Sequence, residues 1–133
     1  MDYHEFVGQV QHRAHLPNFE DAVTATRVTL EVLSERLAGG GPANLAAQLP
    51  REIGWYLLGC EAGSGQRMSL SEFYEQVALR EGQDVPKASF HARAVMSVVG
   101  DAVSGGEFAN IRAQLPPDYG PLFDSEDFRR MAA

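Results

Sequence analysis

The eight residues ANLAAQLP at Ala43–Pro50 recur almost unchanged as ANIRAQLP at Ala109–Pro116. The match continues upstream without a gap, so that Ala22–Pro50 aligns with Ala88–Pro116 at an offset of 66 residues. A recurrence of this length indicates an internal duplication, with a period in the range of helical repeat units.

The match begins earlier still, because EFVGQV at Glu5–Val10 aligns with EFYEQV at Glu72–Val77 at an offset of 67 residues. We therefore predict one domain over the 133 residues, consisting of two tandem, pseudo-symmetric repeats at 1–60 and 68–128. A flexible Gly/Ser linker at 61–67 joins them. A pseudo-twofold axis is the simplest relation between the repeats, and stacking as a short solenoid is the alternative.

Each repeat has the pattern of amphipathic helices. The apolar residues of the first helix recur every three to four positions and share one face; they are Tyr3, Phe6, Val7, Val10 and Ala14. The predicted N-caps of the first two helices in each repeat are Asp2, Asn18, Ser69 and Asp84, and these residue types are the ones that accept hydrogen bonds at helix starts.

The repeats also carry signals for helix ends. A Gly-Gly pair follows each long helix, and we expect one glycine of each pair to adopt the left-handed C-cap conformation. A short third helix is then expected to end at Pro50 in the first repeat and at Pro116 in the second, because proline disfavours helical geometry in the preceding residue. Leu49 and Leu115, just before these prolines, are predicted core residues.

The two repeats differ after the shared phrase. REIGWYLLGC in the first predicts a short helix, whereas PDYGPLFD in the second contains Pro121, which we expect to interrupt any helix. Asp124 is a candidate cap for a last helix through Phe128 and Met131. No segment alternates long enough to form a sheet. The fold class predicted is all-α, a helical bundle.

Charge and cysteine content limit the partners and the compartment. The net charge of −7 argues against nucleic acid and anionic membranes, which need clustered Lys and Arg to neutralise phosphates. No stretch is apolar enough to span a bilayer, and the amino terminus MDYHEFVGQV does not resemble a signal peptide. Cys60, the single cysteine, suits a reducing cytoplasm. We therefore predict a cytoplasmic protein without nucleic-acid or membrane partners.

No motif predicts catalysis, a cofactor or a metal. His12 and His15 are three residues apart and could share a helix face, but zinc requires three or four ligands. Ser64 lies in the linker without a nucleophile elbow, and AGGGP at Ala38–Pro42 lacks the Gly-Lys-Ser/Thr ending of a phosphate loop. His91 is isolated.

Three pairs of identical polar residues occupy aligned positions in the two repeats, and we favour a structural role for them over a functional one. They are Gln48/Gln114, Asn44/Asn110 and Arg27/Arg93. Amides near helix ends commonly satisfy backbone groups, and an arginine stem can lie along apolar surface while its charged head meets a carboxylate.

Trp55 is the only tryptophan, and its counterpart in the alignment is Pro121, so the repeat itself does not require an indole there. One interpretation is a core residue packed against Leu57 and Leu58. The other is an anchor for a partner together with Tyr56, because Trp and Tyr are enriched among interface hot spots. We take Trp55 and Tyr56 as the candidate partner-binding residues, with Trp55 at the rim of a contact.

The chain resembles the prokaryotic domain-of-unknown-function family 2267. The residues that carry the resemblance are the EF…V helix, the long helix before Gly-Gly, and AQLPPDYGPLF, from Asp2 to about Phe128. The resemblance implies a bacterial, cytoplasmic, all-α protein and supplies no catalytic residues. In the first repeat, REIGWYLL replaces the PPDYGPLF ending.

The predicted function is therefore a non-enzymatic protein-interaction or scaffold module, which binds another protein or a second copy of itself. The alternative is a small-ligand-binding protein or an enzyme with a pocket between the repeats. In that alternative, the polar groups would be carboxylates such as Glu31, Glu35 and Asp101. A pocket of several hundred Å³ between the repeats would favour the alternative, and an exposed apolar patch would favour the interaction module.

Overall fold

A computed structural model describes residues 1–124, 128 and 130. In these residues the chain is helical, and its elements in chain order are α1 (Tyr3–Arg13), α2 (Phe19–Arg36), α3 (Gly41–Ala46), α4 (Arg51–Gly54), the 3₁₀ helix η1 (Trp55–Leu57), α5 (Leu70–Glu81), α6 (Val85–Ala102), α7 (Gly105–Ala113), the 3₁₀ helix η2 (Pro117–Tyr119) and α8 (Gly120–Phe123). The only extended pairing in this part of the chain is an isolated bridge between Ala38 and Ser64. The all-α prediction is confirmed.

The predicted N-caps begin their helices as expected. Asp2 accepts a hydrogen bond from the Glu5 amide at 2.8 Å, and the first turns of α2 and α6 are capped in the same way by Asn18 and Asp84. Ser69 forms a complete capping box, because its hydroxyl and the Glu72 carboxylate each accept the other residue's backbone N–H. These bonds satisfy amides that have no partner inside the helix.

The two long helices α2 and α6 contact each other at the centre of the fold. Helix α1 packs on α2 and also on α6, while α5 packs on α6 and also on α2. The core side chains have no exposed surface at all; they include Phe6, Val10, Leu30, Leu33, Phe73, Val77, Val95 and Val99. Leu49 and Leu115 are 8% and 7% exposed, which confirms the prediction that they are buried. No described helix has the length and apolar character needed to cross a bilayer.

The expectation that both long helices end at a left-handed Gly-Gly cap is wrong. Helix α2 ends at Arg36, and Gly39, three residues later, has the positive φ of 58°. Gly105 and Gly106 instead form the first turn of α7. The Ser104 hydroxyl accepts a hydrogen bond from the Glu107 amide at 3.1 Å, and this N-cap allows a helix to begin on two glycines.

Pro121 does not interrupt a helix. It lies in the first turn of α8, where a helix leaves its amides without internal partners and proline's missing N–H costs nothing. The last helix was predicted to start at Asp124 and to continue through Phe128 and Met131, and the structure describes only part of this region. Phe128 is buried and donates its backbone N–H to the Asp124 carbonyl at 3.0 Å, whereas Met131 lies outside the described residues.

Residues 61–67, the predicted linker, form backbone hydrogen bonds with the end of α2. The amide of Gly63 donates to the Ser34 carbonyl, the amide of Gly65 to Leu37, and the amide of Gln66 to Glu35, at 2.8 to 3.0 Å. The segment therefore pairs with the last turn of α2 and satisfies carbonyls that the helix end leaves open.

Candidate functional site

Helix α4 and η1 place the candidate partner-binding residues on one turn of chain after Pro50. Ile53 and Leu57, four positions apart, are fully buried. Positions 55 and 58 lie on the outer side of the same turn, since residues three apart share a helix face. Because Ile53 and Leu57 face the core, Trp55 on the opposite side of the turn faces the solvent.

Trp55 is 59% exposed and Leu58 is 53% exposed. The interpretation of Trp55 as a core residue packed on Leu57 and Leu58 is therefore wrong, and of the two leucines only Leu57 is in the core. The Arg51 guanidinium lies 5.5 Å from the centre of the indole ring. Such a cation–π contact holds the indole ring in place.

A groove of about 260 Å³ runs beside the indole. Trp55, Leu58 and Arg51 line it together with four small residues, which are Ala43, Ala46, Ala47 and Gly54. A Cβ at Gly54 would approach the Ala46 carbonyl oxygen to 2.9 Å, so this close packing of α4 on α3 requires glycine. We call Trp55, Leu58 and this groove the Trp55 patch.

Tyr56 points the other way. It is half-buried and packs against the core, and burial, followed by the neighbouring Tyr3, raises the pKa of Tyr56 above its ordinary value of 10.0. Consecutive residues of a helical turn point in different directions, so the structure does not bring Tyr56 and Trp55 together on one face.

The stretch that the sequence alignment pairs with residues 53–58 has the same burial pattern. Ile53 and Leu57 are buried, as are the aligned Tyr119 and Phe123. The exposed positions differ in chemistry, because Trp55 aligns with the exposed Pro121, and Leu58 with the exposed Asp124.

The matched glutamines lie next to the α3 and α7 helix starts. The Gln48 side chain accepts a hydrogen bond from the Ser104 amide at 2.9 Å, at the start of α7. The Gln114 side-chain oxygen lies so close to Gly41, at the start of α3, that a Cβ there would be 2.8 Å away. Both contacts fit the structural interpretation of these residues.

The three carboxylates considered for a pocket pair with arginines. Glu31 meets Arg27 one turn away at 2.8 Å. Glu35 accepts two hydrogen bonds from Arg80, at 2.6 and 2.8 Å, and these bonds raise the pKa of Arg80.

Asp101 accepts from Arg13 at 2.6 Å. The Glu35 and Asp101 pairs each join one of the outer helices α1 and α5 to a long helix. Glu35 and Asp101 therefore tie helices together, whereas the Glu31 pair lies within α2.

The histidines do not form a metal site in the described part of the chain. His12 lies on α1, but His15 follows the end of that helix with a positive φ of 54°, so the expected shared helix face is wrong. No three His, Cys, Asp or Glu side chains among residues 1–124, 128 and 130 are placed to hold an ion. His91 is not isolated, because its ring nitrogen Nδ1 contacts the Glu81 carboxylate.

The pair of Glu81 and His91 was missed by the sequence analysis. Its members are ten residues apart on different helices, so no single-helix spacing relates them. The signal that could have found them is the alignment, which pairs both polar residues with alanines, Ala14 and Ala25.

The chain belongs to the family described as "Uncharacterized conserved protein (DUF2267)", whose model matches residues 3–122. The match covers α1 through the third residue of α8. No curated protein matches the chain.

Proposed function

We propose that this protein is a non-enzymatic protein-interaction module whose binding surface is the Trp55 patch. The observation that carries the proposal is the comparison of aligned positions: the same exposed positions hold Trp55 and Leu58 in one stretch and Pro121 and Asp124 in the other. The fold therefore does not need large apolar side chains there. An exposed Trp that packing does not require is typical of a contact surface, because Trp is enriched among interface hot spots.

The partner that fits this patch is a second copy of the chain. A contact between identical chains about a twofold axis needs one surface that is complementary to itself. The patch has both halves of such a contact, since an exposed indole lies beside a groove that small residues help to line. Arg51 and the exposed Glu52 add opposite charges to the same surface.

The internal arrangement we propose is two copies of one unit related by a pseudo-twofold axis. Support comes from reciprocal contacts: Arg13 of α1 pairs with Asp101 of α6, and Arg80 of α5 pairs with Glu35 of α2. The alignment relates Arg13 to Arg80 and Glu35 to Asp101. A solenoid would stack each unit on one neighbour, whereas here each outer helix lies on the long helices of both units.

The compartment we propose is a bacterial cytoplasm. Cys60 is exposed and unpaired. In an oxidising compartment an exposed lone thiol forms disulfides between molecules, so a reducing one suits this chain.

Sedimentation velocity over a wide concentration range tests the interaction directly. We expect a monomer–dimer equilibrium, with Trp55 emission shifting to the red on dilution as the indole becomes hydrated. The net charge of −7 makes two copies repel, so added salt is expected to strengthen a self-contact by screening. A basic partner protein would show the opposite salt dependence.

Trp55→Ala and Leu58→Asp are each expected to abolish the dimer while the far-UV circular dichroism stays unchanged. Leu79→Asp is the matched control, because Leu79 is apolar and 76% exposed but lies on α5 outside the patch. A protein that is monomeric at every concentration, with constant red emission, contradicts self-association. Loss of the dimer in the Leu79→Asp control would contradict the assignment of the patch.

The alternative function, a ligand pocket between the repeats, is favoured by a different observation. A cleft of about 590 Å³ lies between residues 14–21 and residues 83–91, and it contains His15, Lys87 and His91. It is separate from the Trp55 patch in its lining residues, so both functions can reside in one chain.

A further inference from the structure

The cleft of about 590 Å³ lies where the connection between α1 and α2 meets the first turns of α6. Leu16 and Pro17 line one side, and Pro86 and Phe90 line the other. The Phe90 ring is supported from behind by the buried Phe128, with ring centres 5.2 Å apart. The cleft thus offers apolar walls to a small molecule.

A buried pair of polar side chains lies at the wall of this cleft. Nδ1 of His91 is 2.8 and 3.0 Å from the two carboxylate oxygens of Glu81, and the two side chains are 10% and 5% exposed. An ionised carboxylate can only accept, so Nδ1 carries the hydrogen and donates it. The pairing sets the orientation of the ring, as a carboxylate does for histidines that hold ligands.

The second ring nitrogen is the one available to a ligand. Nε2 of His91 has no hydrogen-bond partner among residues 1–124, 128 and 130. His91 lines the cleft, whereas its partner Glu81 does not. The ring therefore presents its Nε2 edge to the cleft.

The fold does not require this pair. The alignment relates Glu81 to Ala14 and His91 to Ala25, which are 3% and 0% exposed. In the first of the two aligned segments, Ala14 and Ala25 are therefore well packed at these positions. Burying a carboxylate and an imidazole instead costs desolvation that alanines avoid, and a binding role explains why the second stretch bears that cost.

His15, across the cleft, shows a similar departure. It has a φ of +54°, and the aligned Gly82 has a φ of +73°. Glycine adopts this left-handed conformation without strain and histidine does not. The His15 ring lies 5.6 Å from the Phe90 ring, so the strained backbone holds an imidazole at the cleft.

Lys87 and His91 are placed to meet an anion at the cleft. Lys87 precedes His91 by four residues, which places both on one face of α6, and Lys87 lies in the first turn, where the helix dipole favours negative charge. Asp21 is the acidic residue of the lining, and the Glu81 carboxylate, which already pairs with Nδ1 of His91, leaves Nε2 of that ring for the ligand.

We propose that this cleft binds a small carboxylate with an apolar body. The body packs on Leu16, Pro86 and Phe90. In the complex that we propose, the carboxylate accepts hydrogen bonds from Nζ of Lys87 and from His91 in its imidazolium form, which donates from Nδ1 to Glu81 and from Nε2 to the ligand.

Titration with benzoate, followed by NMR of the histidine ring signals, tests the proposal. We expect the His91 and His15 signals to shift and saturate, while those of His4 and His12, which lie outside this cleft, change little. Benzyl alcohol has a similar body without the charge, and acetate has the charge without the body. We expect benzyl alcohol to bind at least about tenfold more weakly, since a charge-assisted hydrogen bond contributes at least that factor. We expect acetate to bind at least about tenfold more weakly because it buries no ring against the apolar walls.

Two variants identify the groups that bind. Lys87→Gln changes an exposed residue and is expected to weaken benzoate binding by about tenfold. The double variant Glu81→Ala/His91→Ala installs the residues that already pack in the first stretch, and it is expected to remain folded and to lose binding. His4→Gln is the matched control and should bind benzoate as the unaltered chain does.

Three results would overturn the proposal. One is the absence of saturable shifts at His91, and another is equal affinity for benzoate and benzyl alcohol. The third is unchanged benzoate affinity in Lys87→Gln, which does not depend on how well the double variant folds. None of these measurements involves the Trp55 patch, so their failure is distinct from failure of the interaction function.

Discussion

Residues 53–58 and the aligned residues 119–124 both bury their first and fifth positions but differ in what they place at the exposed ones. Residues 53–58 expose Trp55 and Leu58, where residues 119–124 expose Pro121 and Asp124. At the cleft, the later aligned segment carries the polar pair Glu81 and His91, whereas the earlier one carries alanines at the same positions. Aligned positions that are buried in both segments are constrained by packing. The segments differ in chemistry at positions that the core does not constrain.

The largest expected effect concerns the dependence of the two stretches on each other. Neither Met1–Gly65 nor Gln66–Ala133 alone is expected to show a cooperative unfolding transition. Each would expose the faces on which α1 meets α6 and α5 meets α2, and a chain of this size has little core to spare. Urea titration of each half, followed by circular dichroism, checks this. A half that unfolds as cooperatively as the whole chain would show that the stretches are independent domains.

Buried positions that align should respond alike to truncation. Tyr119→Ala is expected to lower the free energy of unfolding by about 3–5 kcal/mol, and Ile53→Ala by about 2–5 kcal/mol, through lost burial and the cavity left behind. Both residues are at most 1% exposed. Urea unfolding measures both changes, and a loss below about 1 kcal/mol at either position would break the comparison there.

Two tyrosines beside Phe73 should respond in opposite directions to loss of a hydroxyl. The Tyr119 hydroxyl donates to the Met68 carbonyl at 2.8 Å, so Tyr119→Phe is expected to cost about 1 kcal/mol. The buried Tyr74 hydroxyl has no partner within the described structure, so Tyr74→Phe is expected to raise stability by up to about 1 kcal/mol. Each variant controls for the other in thermal and urea unfolding, and destabilisation by Tyr74→Phe would indicate an unseen partner.

Alkaline pH offers a second measurement on Tyr74. Burial raises its pKa from 10.0 to about 12, because the ionised phenolate is poorly solvated in the fold. The folded state therefore holds the phenol proton more tightly than the unfolded state does. This contribution to stability is fully present below pH 10 and is lost as pH rises through about 12. We expect a shallower loss of stability over this range in Tyr74→Phe. If the unaltered chain and Tyr74→Phe lost stability identically over this pH range, the raised pKa would not belong to Tyr74.

The smallest expected effect on stability is at the Trp55 patch. Trp55→Ala and Leu58→Asp are each expected to change the free energy of unfolding by about 0.5 kcal/mol or less, since both side chains are mostly exposed. Chemical denaturation at a concentration where the protein is monomeric measures this. A loss of several kcal/mol would mean that these residues support the core, and it would remove the contrast with Pro121 and Asp124.

Local signals in the sequence predicted the helices well. Asp2, Asn18, Ser69 and Asp84 cap the helices that they were expected to cap, because an N-cap depends on residues within one turn. The ends of the long helices and the connections between helices were predicted less well. Gly105 begins a helix because Ser104 caps it, and the Gly/Ser segment after Cys60 is paired with α2, a contact that its own composition does not reveal.

Residues close together in the chain are enough to predict the fold class and the helix caps, and comparison of one segment with another reveals the duplicated sequence. Tertiary packing sets which side of η1 faces the solvent, and it separates Trp55 from Tyr56. Packing also brings Glu81 of α5 against His91 of α6 at the wall of a cleft. Burial and pairing of this kind depend on which elements contact each other, and those contacts join residues far apart in the chain.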